Sequence, residues 1–141
     1  MKNVSILFVL LASNAIGQTQ EWKTSLKEAL KESSNTGKEV LLFFSVAENC
    51  ESCANLEKNV LQSDEFLSYA KSNFVLVKQD FKSNAGNLEE NLLIVEKYNK
   101  DGFFPLLVII GKNAKNLGHI GAYTNESAQD YISKLQSIKR S

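Results

Sequence analysis

The sequence predicts an α/β fold, a central mixed β-sheet flanked by helices on both faces. Three observations carry this expectation. Short apolar runs alternate with helical patterns along the chain. The runs Val40–Phe44 and Phe74–Val77 lack the polar alternation of a half-exposed strand, so both of their faces must be covered. The last two runs are separated only by a short turn that begins at Gly111, which makes that pair an antiparallel hairpin.

Taken in order, Glu21–Ser33 reads as an amphipathic helix, with Trp22, Leu26, Ala29 and Leu30 on one face and Gly37 as its C-cap. Val40–Val46 is a buried strand. A helix starts near Cys50 and runs towards Ser63, which caps a further helical segment packing through Phe66, Leu67, Tyr69 and Ala70. Phe74–Lys78 is the second strand. A polar loop precedes a helix over Leu88–Tyr98, capped by Asn87 or a neighbour, with Leu92, Ile94, Val95 and Tyr98 inward. Phe103–Ile110 carries the only proline, Pro105, at the start of a strand, one of the few places where a residue without an N–H is tolerated. Leu117–Tyr123 returns antiparallel, and Asn125–Lys139 closes the fold as a helix packing through Ala128, Tyr131, Ile132, Leu135 and Ile138.

Composition sets outer limits on function. The 141 residues suffice for one domain with a real core. Hydrophobic residues make up 43% and charged residues 23%, ordinary for a globular chain, and no repeat or low-complexity tract occurs. A net charge of zero gives no electrostatic attraction for nucleic acid or an anionic membrane surface.

Residues 1–17 differ from the rest. Lys2 precedes an apolar stretch from Val4 to Ala12, and Ala15-Ile16-Gly17 places small residues where a signal peptidase reads. We expect cleavage near Gly17, a domain over 18–141, no membrane span after cleavage, and a monomer in the periplasm or outside the cell. The apolar run is too short for a comfortable membrane helix.

The two cysteines form Cys50-Glu51-Ser52-Cys53, where a buried strand hands over to a helix. Free N–H groups at a helix start favour a thiolate, the nucleophilic form of cysteine. In an oxidising compartment two cysteines are often a structural bridge, but a ring this small restrains the unfolded chain little. The spacing suits a bond that is made and broken. Glu51 opposes a thiolate at Cys50, and no neighbouring histidine or lysine compensates.

At this point the chain resembles the thioredoxin superfamily, and more narrowly its secreted bacterial members. The resemblance rests on the strand leading into Cys50-Glu51-Ser52-Cys53, on Lys97-Tyr98 followed through Gly102 by Phe104-Pro105, on the Ile109–Asn113 hairpin, and on Ile120-Gly121-Ala122 before the last helix. It implies a thioredoxin-like fold and thiol–disulfide exchange on cysteine-containing client proteins, fed by a thiol or disulfide partner and needing no cofactor or metal. Cys50 would attack, Cys53 would resolve, and a cis Pro105 with Phe104 and Asn49 would line the client groove. Of Phe103 and Phe104, one should point inward and the other along the groove. The sequence departs from the family at Asn49, where a tryptophan is usual, at Leu106 in place of threonine, and at Phe44, where a buried acid is usual. A non-catalytic binding module with a passive disulfide is therefore the alternative. A metal-carrying reading would need Cys50, Cys53 and His119 together. Whether the exchange runs as reduction, oxidation or isomerisation is not written in these residues.

Overall fold

The computed structural model describes residues 22–46, 48–80 and 88–140. The proposed leader and the Asn87 cap lie outside them. The elements are α1 (Leu26–Thr36), β1 (Glu39–Ser45), α2 (Glu51–Leu56), α3 (Asp64–Asn73), β2 (Phe74–Asp80), α4 (Leu88–Tyr98), β3 (Leu106–Ile110), β4 (Asn116–Ile120) and α5 (Ala128–Arg140). A π-helical stretch, Glu57–Leu61, continues α2, and a 3₁₀ turn, Lys112–Ala114, joins β3 to β4.

One sheet runs in the order β2-β1-β3-β4. β1 pairs parallel with β2, and β3 pairs antiparallel with both β1 and β4. The mixed sheet is thus as expected from the two crossover connections and the final hairpin. Alternate residues of the strands feed two separate cores. Leu41, Phe43, Leu76, Leu107 and Ile109 pack with Leu56 and Val60 after the cysteines, with α3 and with Tyr131 and Leu135 of α5. Val40, Leu42, Phe44, Val75, Val77 and Val108 pack with Leu26 and Ala29 of α1 and Tyr98 of α4. Strands β1 and β3 are buried on both faces, because helices cover each side.

Local chemistry sets the element ends. Ser25 caps α1 by accepting the Glu28 N–H, and Gly37 ends it in the left-handed conformation at φ 77°. The helix therefore starts five residues later than Glu21. Trp22 precedes it, and Lys23 forms a parallel bridge to Val77 at the outer edge of β2. Trp22 still packs, edge-on to Phe43 at 6.0 Å, but on the opposite face of the sheet from α1. In α4, Ile94, Val95 and Tyr98 turn inward as expected, whereas Leu92 is 58% exposed and is corrected to a surface position. The last strand ends at Ile120, three residues short of the expected Tyr123.

Candidate active site

The site is built where β1 ends. The strand stops at Ser45, and a short loop through Glu48 and Asn49, both exposed, leads to Cys50. Asn49 takes a positive φ of 58°, a conformation asparagine tolerates better than most residues, and this turns the chain into α2. Cys50 is itself the N-cap of α2: its Sγ accepts the Cys53 N–H at 3.2 Å, and its carbonyl accepts the Ala54 N–H at 3.2 Å. Cys50 and Cys53 are joined in a disulfide with their Cα atoms 5.2 Å apart. The two sulfurs are not equivalent. Cys50 is partly exposed, while Cys53 is 2% exposed against the core.

The sheet register brings the proline segment to the same end. Leu106 of β3 pairs with Phe44 of β1, and the strands are antiparallel. Pro105 and Phe104 therefore continue off the ladder beside the loop that carries the cysteines. The Phe104–Pro105 peptide is cis. Pro105 is buried, and Phe104 packs against the core formed with α1 and α4. Phe103 does the opposite and is 63% exposed.

Phe44, six residues before Cys50, is fully buried in the core facing α1 and α4. Beyond Cys53, one helical turn on, Glu57 is engaged by Lys78 of β2 at 2.6 Å. Both side chains are about 30% exposed, and the pair fastens the helix to the sheet. His119 lies on β4 opposite Val108, is exposed, and is not joined to the cysteines. Among the described residues no group of three or more His, Cys, Asp or Glu side chains could hold a metal. A cleft of about 820 Å³ lies at the other end of the sheet, between Leu30, Gly37, Lys38, Lys112 and Leu117. It is far from the cysteines in the ladder, at the start of β1 rather than its end.

By composition the run Lys97–Asp101 reads as a solvated face, which is corrected at one buried polar residue with a place in the site. Asn99, 3% exposed, sits between α4 and the proline segment and holds Phe103 by its main chain. A single asparagine in a polar turn offers no periodic signal.

Comparison with known proteins agrees with this geometry. The Thioredoxin-like family model matches residues 21–112. The "Disulfide bond reductase DsbH" of Chlamydia pneumoniae is 32% identical over 121 residues, covering 83% of this chain and 71% of the relative. A solved "DsbH Oxidoreductase" superposes with a TM-score of 0.75 at 29% identity, over 85% of this chain and 84% of that one. A "disulphide isomerase" from Xylella fastidiosa Temecula1 gives a TM-score of 0.60 at 25% identity, over 78% and 87% of the two chains. Homology to Dsb disulfide reductases, the fold and the bonded Cys-x-x-Cys pair together support a thiol–disulfide oxidoreductase role.

Proposed function

The chain belongs to the thioredoxin-like family, and from that premise we propose that it is an enzyme that exchanges dithiol for disulfide on protein clients, as a reductase or isomerase, through Cys50 and Cys53. The observation that carries the reading is the inequality of the two sulfurs. The partly exposed one caps α2 and receives a backbone N–H, which favours its thiolate. The other is buried and bonded to the first.

In the reducing direction the Cys50 thiolate attacks a client disulfide. A Cys50–client bond forms, the client S–S bond breaks, and one client sulfur leaves as a thiolate that takes up a proton. Cys53, once deprotonated, attacks Cys50. The client leaves as a dithiol, and two electrons have passed from the cysteine pair to it, leaving the Cys50–Cys53 disulfide. An external dithiol restores the pair. Asn49, Phe104 and Pro105 line the groove that holds an extended client segment beside Cys50.

The reading places this chemistry in the bacterial envelope, on the strength of the leader pattern in residues 1–17. Among the described residues no helix is long and apolar enough to cross a membrane. Intact mass of the exported protein checks cleavage, and a retained Met1 would overturn it.

Substituting Cys53 by alanine tests the mechanism. The variant should accumulate mixed disulfides on Cys50 that dissolve in excess thiol, and Cys50→Ala should accumulate none. Absence of trapped species from Cys53→Ala would move the function to a binding module with a passive bridge. The potential of the pair then sets the direction. A value near about −270 mV marks a reductase, and one above about −180 mV an oxidant or isomerase.

A further inference from the structure

We propose that Asn99 is the positioning residue of the client groove and that Phe103, which it holds, selects clients with a bulky apolar side chain beside their reactive cysteine. The inference rests on the exchange reading above and extends it to substrate class.

Asn99 uses both its main-chain groups and both polar atoms of its side chain. Its N–H ends α4 on the Val95 carbonyl at 2.8 Å, and its carbonyl accepts the Gly102 N–H at 3.0 Å, closing the turn. Its side chain then treats Phe103 as a neighbouring strand would. Nδ2 donates to the Phe103 carbonyl at 2.9 Å, and Oδ1 accepts the Phe103 N–H at 3.0 Å. A buried asparagine with both ends of its amide satisfied by one residue's main chain fixes that residue's position and orientation. The segment it fixes runs directly into Phe104–Pro105.

Phe103 is what makes this arrangement informative. Its main chain is clasped, yet the residue is 63% exposed while the adjacent Phe104 packs inward. A lone exposed apolar side chain is ordinary on a protein surface, so what singles out Phe103 is a fixed main chain that holds it on the segment running into Phe104–Pro105. The antiparallel register sets this ring at the active-site end of the sheet, on the segment beside the Cys50 loop. An extended client lying along Phe104–Pro105 would pass it.

The test uses two disulfide peptides that differ only in the residue beside the reactive cysteine, phenylalanine in one and serine in the other. With the unsubstituted protein, kcat/KM should favour the phenylalanine peptide by about tenfold or more, the scale on which an apolar contact discriminates. Phe103→Ser, a surface change, should bring the ratio close to one. Asn99→Ala should raise KM for the phenylalanine peptide rather than lower kcat, and Asn99→Asp, whose second oxygen would face the Phe103 carbonyl where Nδ2 donates, should recover none of the loss. Binding of the same peptides with cysteine replaced by serine is measured in parallel, because it needs no exchange. Preference for the phenylalanine peptide that survives Phe103→Ser, in turnover or in binding, overturns the proposal. Preference that depends on Phe103 in binding but comes with no turnover upholds it and overturns the exchange reading instead.

Discussion

Glu126 shows how one side chain ties a loop to a helix. Its carboxylate accepts from the Thr124 N–H at 3.3 Å, from the Thr124 hydroxyl and from Lys134 Nζ at 3.2 Å, just ahead of α5. Burial pushes its pKa up, but the bonds from Thr124 and Lys134 outweigh that, and the carboxyl titrates below its ordinary 4.5. The sign follows from linkage. A lowered folded-state value means stabilisation that is complete above the unfolded value and is lost as pH falls through the folded one. The difference in Tm between the protein and Glu126→Gln should therefore be full above about pH 5 and shrink towards zero on acidification, as read by thermal melts between about pH 3 and 7. A difference independent of pH would mean that the carboxylate's charge is not involved. Most of the effect belongs to the Thr124 bonds, since Lys134 is half exposed and such pairs contribute little. At this scale the cysteines and the proline were readable because each residue type is rare in the chain and chemically singular. Asn99 was not, because only the folded turn makes its amide face Phe103.

Among the elements, the connection between the cysteine-bearing helix and α3 depends on Ser63. Its hydroxyl donates to the Val60 carbonyl at 2.6 Å, at the end of the π-helical stretch, and accepts the Phe66 N–H at 3.2 Å, at the start of α3. Loss of an N-cap costs about 1 kcal/mol, and the hydroxyl's bond to the Val60 carbonyl goes with it, although that carbonyl keeps the Ser63 N–H at 3.0 Å. Ser63→Ala should lower stability by about 1–2 kcal/mol in urea unfolding, with Ser63→Asp intermediate because it keeps the cap and loses the donor. Equal stability of all three would show that water replaces both bonds. Ser63 was legible as a cap because it precedes an acidic first turn and an apolar face, the pattern that a helix start requires. Trp22 misled for a related reason. Its spacing from Leu26 extends the helical period backwards, but Ser25 captures the Glu28 N–H and stops the helix there, leaving Lys23 to pair with the edge of β2. Leu92 misled because α4 buries a narrower stripe than its apolar content suggests. The π-helical turn after Leu56 has no signature in residue type at all.

For the whole molecule, the central position of β1 is what assembles the site. It lies between a parallel partner and an antiparallel one, so the chain leaves β1 at the same end where it enters β3. Register alone brings residues 50–53 and 103–105 to the same end of the sheet. The core that holds this register owes little to the disulfide, because the bridge closes a loop of only four residues, Cys50 to Cys53. Loop-entropy reasoning gives such a ring about 2 kcal/mol, against a core that buries β1 and β3 on both faces. Reduction should accordingly leave a cooperatively folded protein whose unfolding free energy falls by no more than about 2 kcal/mol, measured by urea titration with and without excess dithiol. A protein built for exchange must pass this test, since its reduced form has to persist between turnovers with the groove intact. If reduction instead unfolded the chain, the bridge would be a structural staple. The exposure difference between Cys50 and Cys53 would then mark only how the staple sits in the fold.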